Sequence, residues 1–167
     1  MKKTLFILIG ICLLSLPLQA QWKVGGNFAS ASGGSATDAY NISFGVDAYY
    51  MFRNPDAFFK YGFNASLLFI PGQEVDVLGS PVKFENANFL PASFAVRFTF
   101  FRVLTLGPDV GYGLSLNSEI PGGLYIKGIL GLDIANAVEV HLFLSNVNAG
   151  ENNNFTSGGI GFLIHIY

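Results

Sequence analysis

His141 and His165 are the only imidazoles in this 167-residue chain. Acid–base chemistry therefore has to run through one of them or through carboxylates. A serine nucleophile needs a base within hydrogen-bond reach. His141 and Ser145 share a face but stand four residues apart, about 13 Å in extended chain at roughly 3.3 Å per residue. No His-x-Ser pair occurs. Asp133 and Glu139 form a carboxylate couple across a short connection, and pairing with Lys127, Arg97 or a neighbour would neutralise them. Cys12, the single cysteine, lies among the first twenty residues, so no disulfide or thiolate metal site is expected beyond it. The glycines recur at alternating positions instead of forming a phosphate loop. No catalytic residue, cofactor or metal site is expected.

The elements that would position these groups follow from periodicity. Between Asn41 and Phe52, Ile42, Phe44, Val46, Ala48, Tyr50 and Phe52 alternate with Asn41, Ser43, Gly45 and Asp47. Successive side chains of a strand point to opposite faces, so the segment reads as a strand with one apolar face. Eight such segments are predicted: Gln21–Ala29, Tyr40–Phe52, Ala57–Ile70, Asn88–Phe100, Leu104–Leu116, Leu124–Ile134, Ala137–Ser145 and Gly158–Tyr167. Their connections alternate in length. Ser30–Ala39, Pro71–Ala87, Asn117–Gly123 and Asn146–Ser157 are long and polar, whereas Arg53–Asp56, Phe101–Val103 and Ala135–Asn136 are tight turns. Long loops on one side and short turns on the other are the layout of an outer-membrane barrel. The predicted fold class is all-β, an eight-stranded antiparallel up-and-down transmembrane β-barrel.

Composition agrees with this reading. Hydrophobic residues make up 51% and charged residues 12%, against about 25% charged in ordinary soluble domains. After residue 20 no apolar run approaches the roughly 20 residues of a spanning helix. Residues 1–20 read as a secretion signal: Lys2 and Lys3, an apolar stretch from Leu5 to Leu14, Pro17, and cleavage after Ala20. Residues 21–167 would then form the barrel. Without Lys2 and Lys3, seven basic residues face eleven acidic ones, a balance that argues against nucleic acid as a partner.

The apolar face is assigned to lipid. The other face, rich in Gly, Ser and Asn, would make a poor soluble surface but fills a narrow interior. Lys23, Asp47, Lys60, Arg97, Asp109, Lys127, Asp133 and Glu139 all fall on that inner face. Four bases and four acids in a narrow lumen should pair, because an isolated buried charge is costly. Trp22, Tyr50, Phe52, Phe59, Phe98 and Phe100 gather toward the short-turn end, as a periplasmic aromatic girdle would.

The stretch Phe89-Leu90-Pro91 to Phe98, followed by Leu106-Gly107-Pro108-Asp109-Val110-Gly111-Tyr112, resembles the outer-membrane β-barrel family of the OmpX/OmpA transmembrane type. The resemblance covers the mature chain in layout. It implies an eight-stranded meander inserted by the barrel-assembly machinery. It also implies a C-terminal insertion signal, which falls on Phe162, Ile164, Ile166 and Tyr167. One departure lies in the last strand: Tyr167 is out of phase with the apolar positions of that segment, and His165 stands where the family often has Tyr.

The functional expectation is a non-enzymatic barrel of the Gram-negative outer membrane, with a plugged polar lumen and acidic external loops. It would meet outer-membrane lipid and lipopolysaccharide and serve membrane integrity, adhesion or surface interaction through an external ligand that the residues do not name. A narrow porin-like channel is the alternative, and a lipid-modifying enzyme comes third.

Overall fold

The computed structural model describes residues 21–33, 40–52, 56–77, 80–118, 120–150 and 154–166. The segment read as a signal and Tyr167 lie outside the described residues. Ten strands follow one another: β1 Gln21–Gly33, β2 Ile42–Met51, β3 Phe59–Ile70, β4 Glu74–Val77, β5 Ser80–Lys83, β6 Ala87–Phe100, β7 Leu104–Ser115, β8 Gly123–Ile134, β9 Val138–Asn148 and β10 Asn154–Ile166. Eight of them close a barrel in the order β1-β10-β9-β8-β7-β6-β3-β2. Every neighbouring pair in the barrel is antiparallel, so the chain is an eight-stranded up-and-down barrel.

β4 and β5 are the surplus. They pair with each other, Glu74 opposite Lys83, as a separate hairpin within the connection expected to be a plain loop. Val75 and Val82 supply the β-branched residues that favour a strand here. The strands also run further toward the long-loop end than periodicity indicated. β1 reaches Gly33, β9 reaches Asn148 and β10 begins at Asn154. Ser, Thr and Asn break the hydrophobic alternation there, yet the backbone ladder continues, with Asn154 opposite Asn148.

The short-turn end is tightly built. Phe101 and Arg102, and again Ala135 and Asn136, have positive φ. The turns are closed by Val103 N–H donating to the Phe100 carbonyl and Ala137 N–H to that of Ile134. Paired left-handed residues suit the twist of a hairpin. Asp56, between β2 and β3, touches both of the other turns, accepting from Asn136 Nδ2 at 3.3 Å and lying 4.0 Å from Arg102 Nε.

The outward face is a continuous apolar belt. It includes Trp22, Phe28, Phe44, Val46, Phe63, Phe94, Val110, Leu130, Leu142, Ile160, Phe162, Ile164 and Ile166, each about half exposed. β10 pairs with β1 in unbroken register, and its Ile160, Phe162, Ile164 and Ile166 face outward.

The inward face differs from expectation. It is not uniformly small and polar. Tyr49, Met51, Leu68, Ile70, Phe89, Tyr125, Ile129, Phe143, Val147, Phe155 and Leu163 also point inside and are buried. Glycines on adjacent strands make room for bulky neighbours. Met51 stands opposite Gly62, Tyr125 opposite Gly111, and His141 lies between Gly131 and Gly161. A Cβ added at Gly161 would come within 2.5 Å of His141 Nε2. Large inner residues thus face small ones across the ladder, and the lumen is packed.

A charged and layered lumen as the candidate functional site

All eight charges singled out from the sequence are buried and point inward. They sort into two groups. The first lies mid-barrel. Arg97 on β6 donates to Asp109 Oδ1 on β7 at 2.5 Å. Tyr49 on β2 reaches across to donate to Asp109 Oδ2 at 2.8 Å, and its ring lies 5.2 Å from the Arg97 guanidinium. Lys127 on β8 crosses the lumen to Asp47 on β2 at 2.8 Å. Asp47 also accepts from Asn27 Nδ2 and Ser66 Oγ.

Arg97 has a further role that periodicity does not reveal. The β6–β7 ladder passes from Ala95↔Asp109 to Phe98↔Leu106. Pro108 sits in that interval and has no N–H to give the facing strand. Arg97 Nη1 donates to the Val96 carbonyl at 2.8 Å and to that of Pro108 at 3.3 Å. The guanidinium supplies the donor that the proline lacks.

The second group lies at the short-turn end. Lys23 on β1 donates to Glu139 Oε2 on β9 at 2.7 Å and lies 3.8 Å from Asp133 Oδ2 on β8. His165 Nε2 is 3.7 Å from Asp133, and His141 Nδ1 is 3.9 Å from Glu139. Lys60 lies in the field of Lys23, Asp133, Glu139 and Asp56. Of the expected partners, Lys127, Arg97 or a neighbour, it is a neighbour, Lys23, that meets Asp133 and Glu139, because the lumen is narrow enough for β1 to reach β9 past β10. Lys60 is paired in register with Arg97, yet its field is that of the lower cluster.

Apolar layers close both levels. Tyr49, Met51, Ala95, Ile129, Phe143 and Leu163 cluster with Ala29 around the charges. Toward the long loops a second cluster includes Tyr40, Leu68, Ile70, Phe89, Tyr125, Val147 and Phe155, with Val75 and Phe84 packed against it. Alternation hid this layer: Leu68, Ile70, Phe89 and Tyr125 fall on the face assigned to small and polar side chains, and Val147 and Phe155 lie in a stretch expected to be a loop.

The predicted girdle residues form chains of ring contacts on the outer wall. Trp22 meets Tyr50 at 5.0 Å, Tyr50 meets Phe52 at 5.1 Å, and Phe59 meets Phe98 at 5.4 Å. Phe58, which alternation did not single out, joins Phe98 to Phe100. These rings stand toward the turns of β2–β3 and β6–β7, at the level suited to amphipathic aromatics.

The long-loop rim is polar. Asn41 Nδ2 donates to Gln73 Oε1, Gly72 N–H to Asn86 Oδ1, and Asn117 Nδ2 to the Asn86 carbonyl. Tyr40 donates to the Glu85 carbonyl at 3.0 Å. Burial, with Glu85 nearby, raises its hydroxyl pKa above the ordinary value.

A closed barrel with an apolar outer belt and a filled, charge-lined interior defines the class: an eight-stranded transmembrane β-barrel. No family model matches the chain, and no curated protein matches it. Solved structures do. The chain is similar to Ail, the attachment invasion locus protein of Yersinia pestis, solved with the heparin analogue sucrose octasulfate: TM-score 0.55, 10% identity, 88% of this chain and 97% of that one. It is similar to the outer membrane enzyme PagL at TM-score 0.55 and 10% identity, covering 86% of this chain and 99% of that one. A de novo designed transmembrane β-barrel matches at TM-score 0.53 and 7% identity, over 89% and 96%. At these identities the likeness concerns the fold.

Proposed function

We propose that this protein is a non-enzymatic barrel of a Gram-negative outer membrane that acts through its external rim while its lumen stays closed. The observation that carries the reading is the filled interior, with apolar side chains packed above and around the buried ion pairs. Eight strands enclose only enough space for side chains, and here large ones use it. That weighs against the porin-like alternative. Among the described residues, His141 and Ser145 lie on one inner face of β9, two inward positions apart, and His141 faces glycines on both sides. This arrangement gives a serine nucleophile no base.

The apolar belt is the surface offered to membrane lipid, and the outer girdle suits the headgroup level. Phe162, Ile164 and Ile166 form an outward stripe on β10, the feature the assembly machinery would read. The rim offers the β4–β5 hairpin and Asn-rich edges to a surface partner. Glu74, Asp76 and Glu85 stand there against Lys83. A polyanion such as the heparin analogue bound by Ail would meet carboxylates here.

Planar-bilayer recording of the purified barrel should show no steady conductance, and a stable open current would replace this reading with a channel. Lipid A from cells with and without the protein should have the same mass spectrum. An acyl-chain difference would establish an enzyme instead. Deleting the β4–β5 hairpin should reduce adhesion to host or abiotic surfaces without loss of the folded barrel.

A further inference from the structure

The lower lumen cluster holds more than an ion pair. Asp133, Glu139 and His165 come from three consecutive strands, β8, β9 and β10, and each is more than nine-tenths buried. One ligand atom from each lies within 4.8 Å of the other two. Asp133 Oδ1 and Oδ2, Glu139 Oε1 and both ring nitrogens of His165 have no hydrogen-bond partner among the described residues. Buried polar atoms of this kind are costly to leave unmatched. We propose that Asp133, Glu139 and His165 form a site for a divalent transition-metal ion such as Zn2+, at the short-turn mouth of the lumen.

The donor set decides the class of ion. One imidazole and two carboxylates suit zinc and its first-row neighbours, whereas calcium and magnesium favour all-oxygen shells. Two carboxylates also balance a double positive charge. Zinc holds nitrogen and oxygen ligands at about 2.0–2.2 Å, so tetrahedral ligand atoms stand about 3.4 Å apart. From a separation of at most 4.8 Å, the three donors must close by up to about 1.4 Å, within reach of side-chain rotations.

Lys23 is the built-in competitor. Its ammonium lies 2.7 Å from Glu139 and 3.8 Å from Asp133, so it holds the cation position in the metal-free barrel. Lys60 adds positive charge to the same corner. Lys23 is the third residue of β1, at the rim, and its flexible stem lets the head turn away toward water. Metal entry therefore exchanges one cation for another. Removing the Lys23 charge should tighten binding, while removing His165 should weaken it. A cluster that is merely an ion-pair network predicts neither change.

The test is zinc titration of the intact barrel in detergent, by calorimetry and by competition with a chromogenic chelator. Wild type should bind one ion saturably. Lys23→Met should bind more tightly, and His165→Ala at least about tenfold more weakly, since loss of even an outer partner of a metal ligand costs that much. Heat-dependent gel mobility checks that each variant is folded. Should His165→Ala not fold, electron paramagnetic resonance of Cu2+-loaded wild type reads the same question. Nitrogen coupling from one imidazole is expected. Absence of saturable binding in both wild type and Lys23→Met overturns the proposal. So does unchanged binding in folded His165→Ala, or a copper spectrum without nitrogen coupling.

Discussion

Replacing Arg97 by Ala removes the most heavily used donor in the lumen. Its guanidinium serves Asp109 at 2.5 Å and the carbonyls of Val96 and Pro108. Asp109 is fully buried, so among the described residues the loss leaves its carboxylate with the Tyr49 hydroxyl as side-chain donor. Breaking a buried pair from one side costs about 3–5 kcal/mol. The Val96 carbonyl, facing a proline, adds an orphaned acceptor worth about 1–3 kcal/mol. Lys127 is the register partner of Asp109 and can share its charge, which offsets part of this. A net loss of about 3 kcal/mol is expected. Trp22, the sole tryptophan, lies half-exposed on the outer belt and reports unfolding by fluorescence in a urea titration in detergent. The double variant Arg97→Ala/Asp109→Ala should be more stable than the single one, because it removes the orphaned charge. Val96→Ala, on the outer face, is the control. If Arg97→Ala falls within about 0.5 kcal/mol of that control, or the double variant is worse than the single one, the pairing argument fails. Ion leakage should stay low in Arg97→Ala, since the apolar layer beneath the long loops is untouched.

Other consequences are accessible to simpler measurements. Gly107→Ala should destabilise by about 1–3 kcal/mol, because its Cβ would land 1.9 Å from the Val96 carbonyl oxygen. Gly128→Ala, with only Leu144 O at 4.0 Å, should change urea midpoints little, and equal losses for the two would refute the packing account. Ala135→Gly should stabilise by about 0.5–1 kcal/mol, as Ala135 holds φ 54 in a turn that glycine adopts without strain; a lower midpoint would count against that strain. A cysteine at Gly150 should be labelled by an impermeant maleimide on intact cells, and one at Arg102 should not. The reverse pattern would invert the topology. Unboiled protein should migrate differently from boiled protein on a gel, and identical mobility would argue against a stable barrel.

Period-two alternation carried most of the architecture. Eight strands, their sidedness, the inward aim of every charge on the barrel strands and the outer rings all follow from residue type at alternate positions, because a strand has only two faces. The alternating loop lengths added the meander. Charge partners were not legible in the same way. Whether Lys127 meets Asp133 nearby in the chain or Asp47 across the barrel depends on strand stagger and lumen width, which no single strand encodes. Likewise Lys23 reaches Glu139, 116 residues away, only once β1 has closed against β10. The β4–β5 hairpin was missed because four-residue strands are too short for a periodic signal. The bulky inner layer is not legible because one strand shows only that Phe89 or Tyr125 is inward. The room for such residues comes from small ones on neighbouring strands, as His141 between Gly131 and Gly161 shows. Sequence alone determined which face a residue occupies wherever the alternation runs. Closure of the barrel decided which residues meet inside it, because register and stagger are properties of all eight strands together.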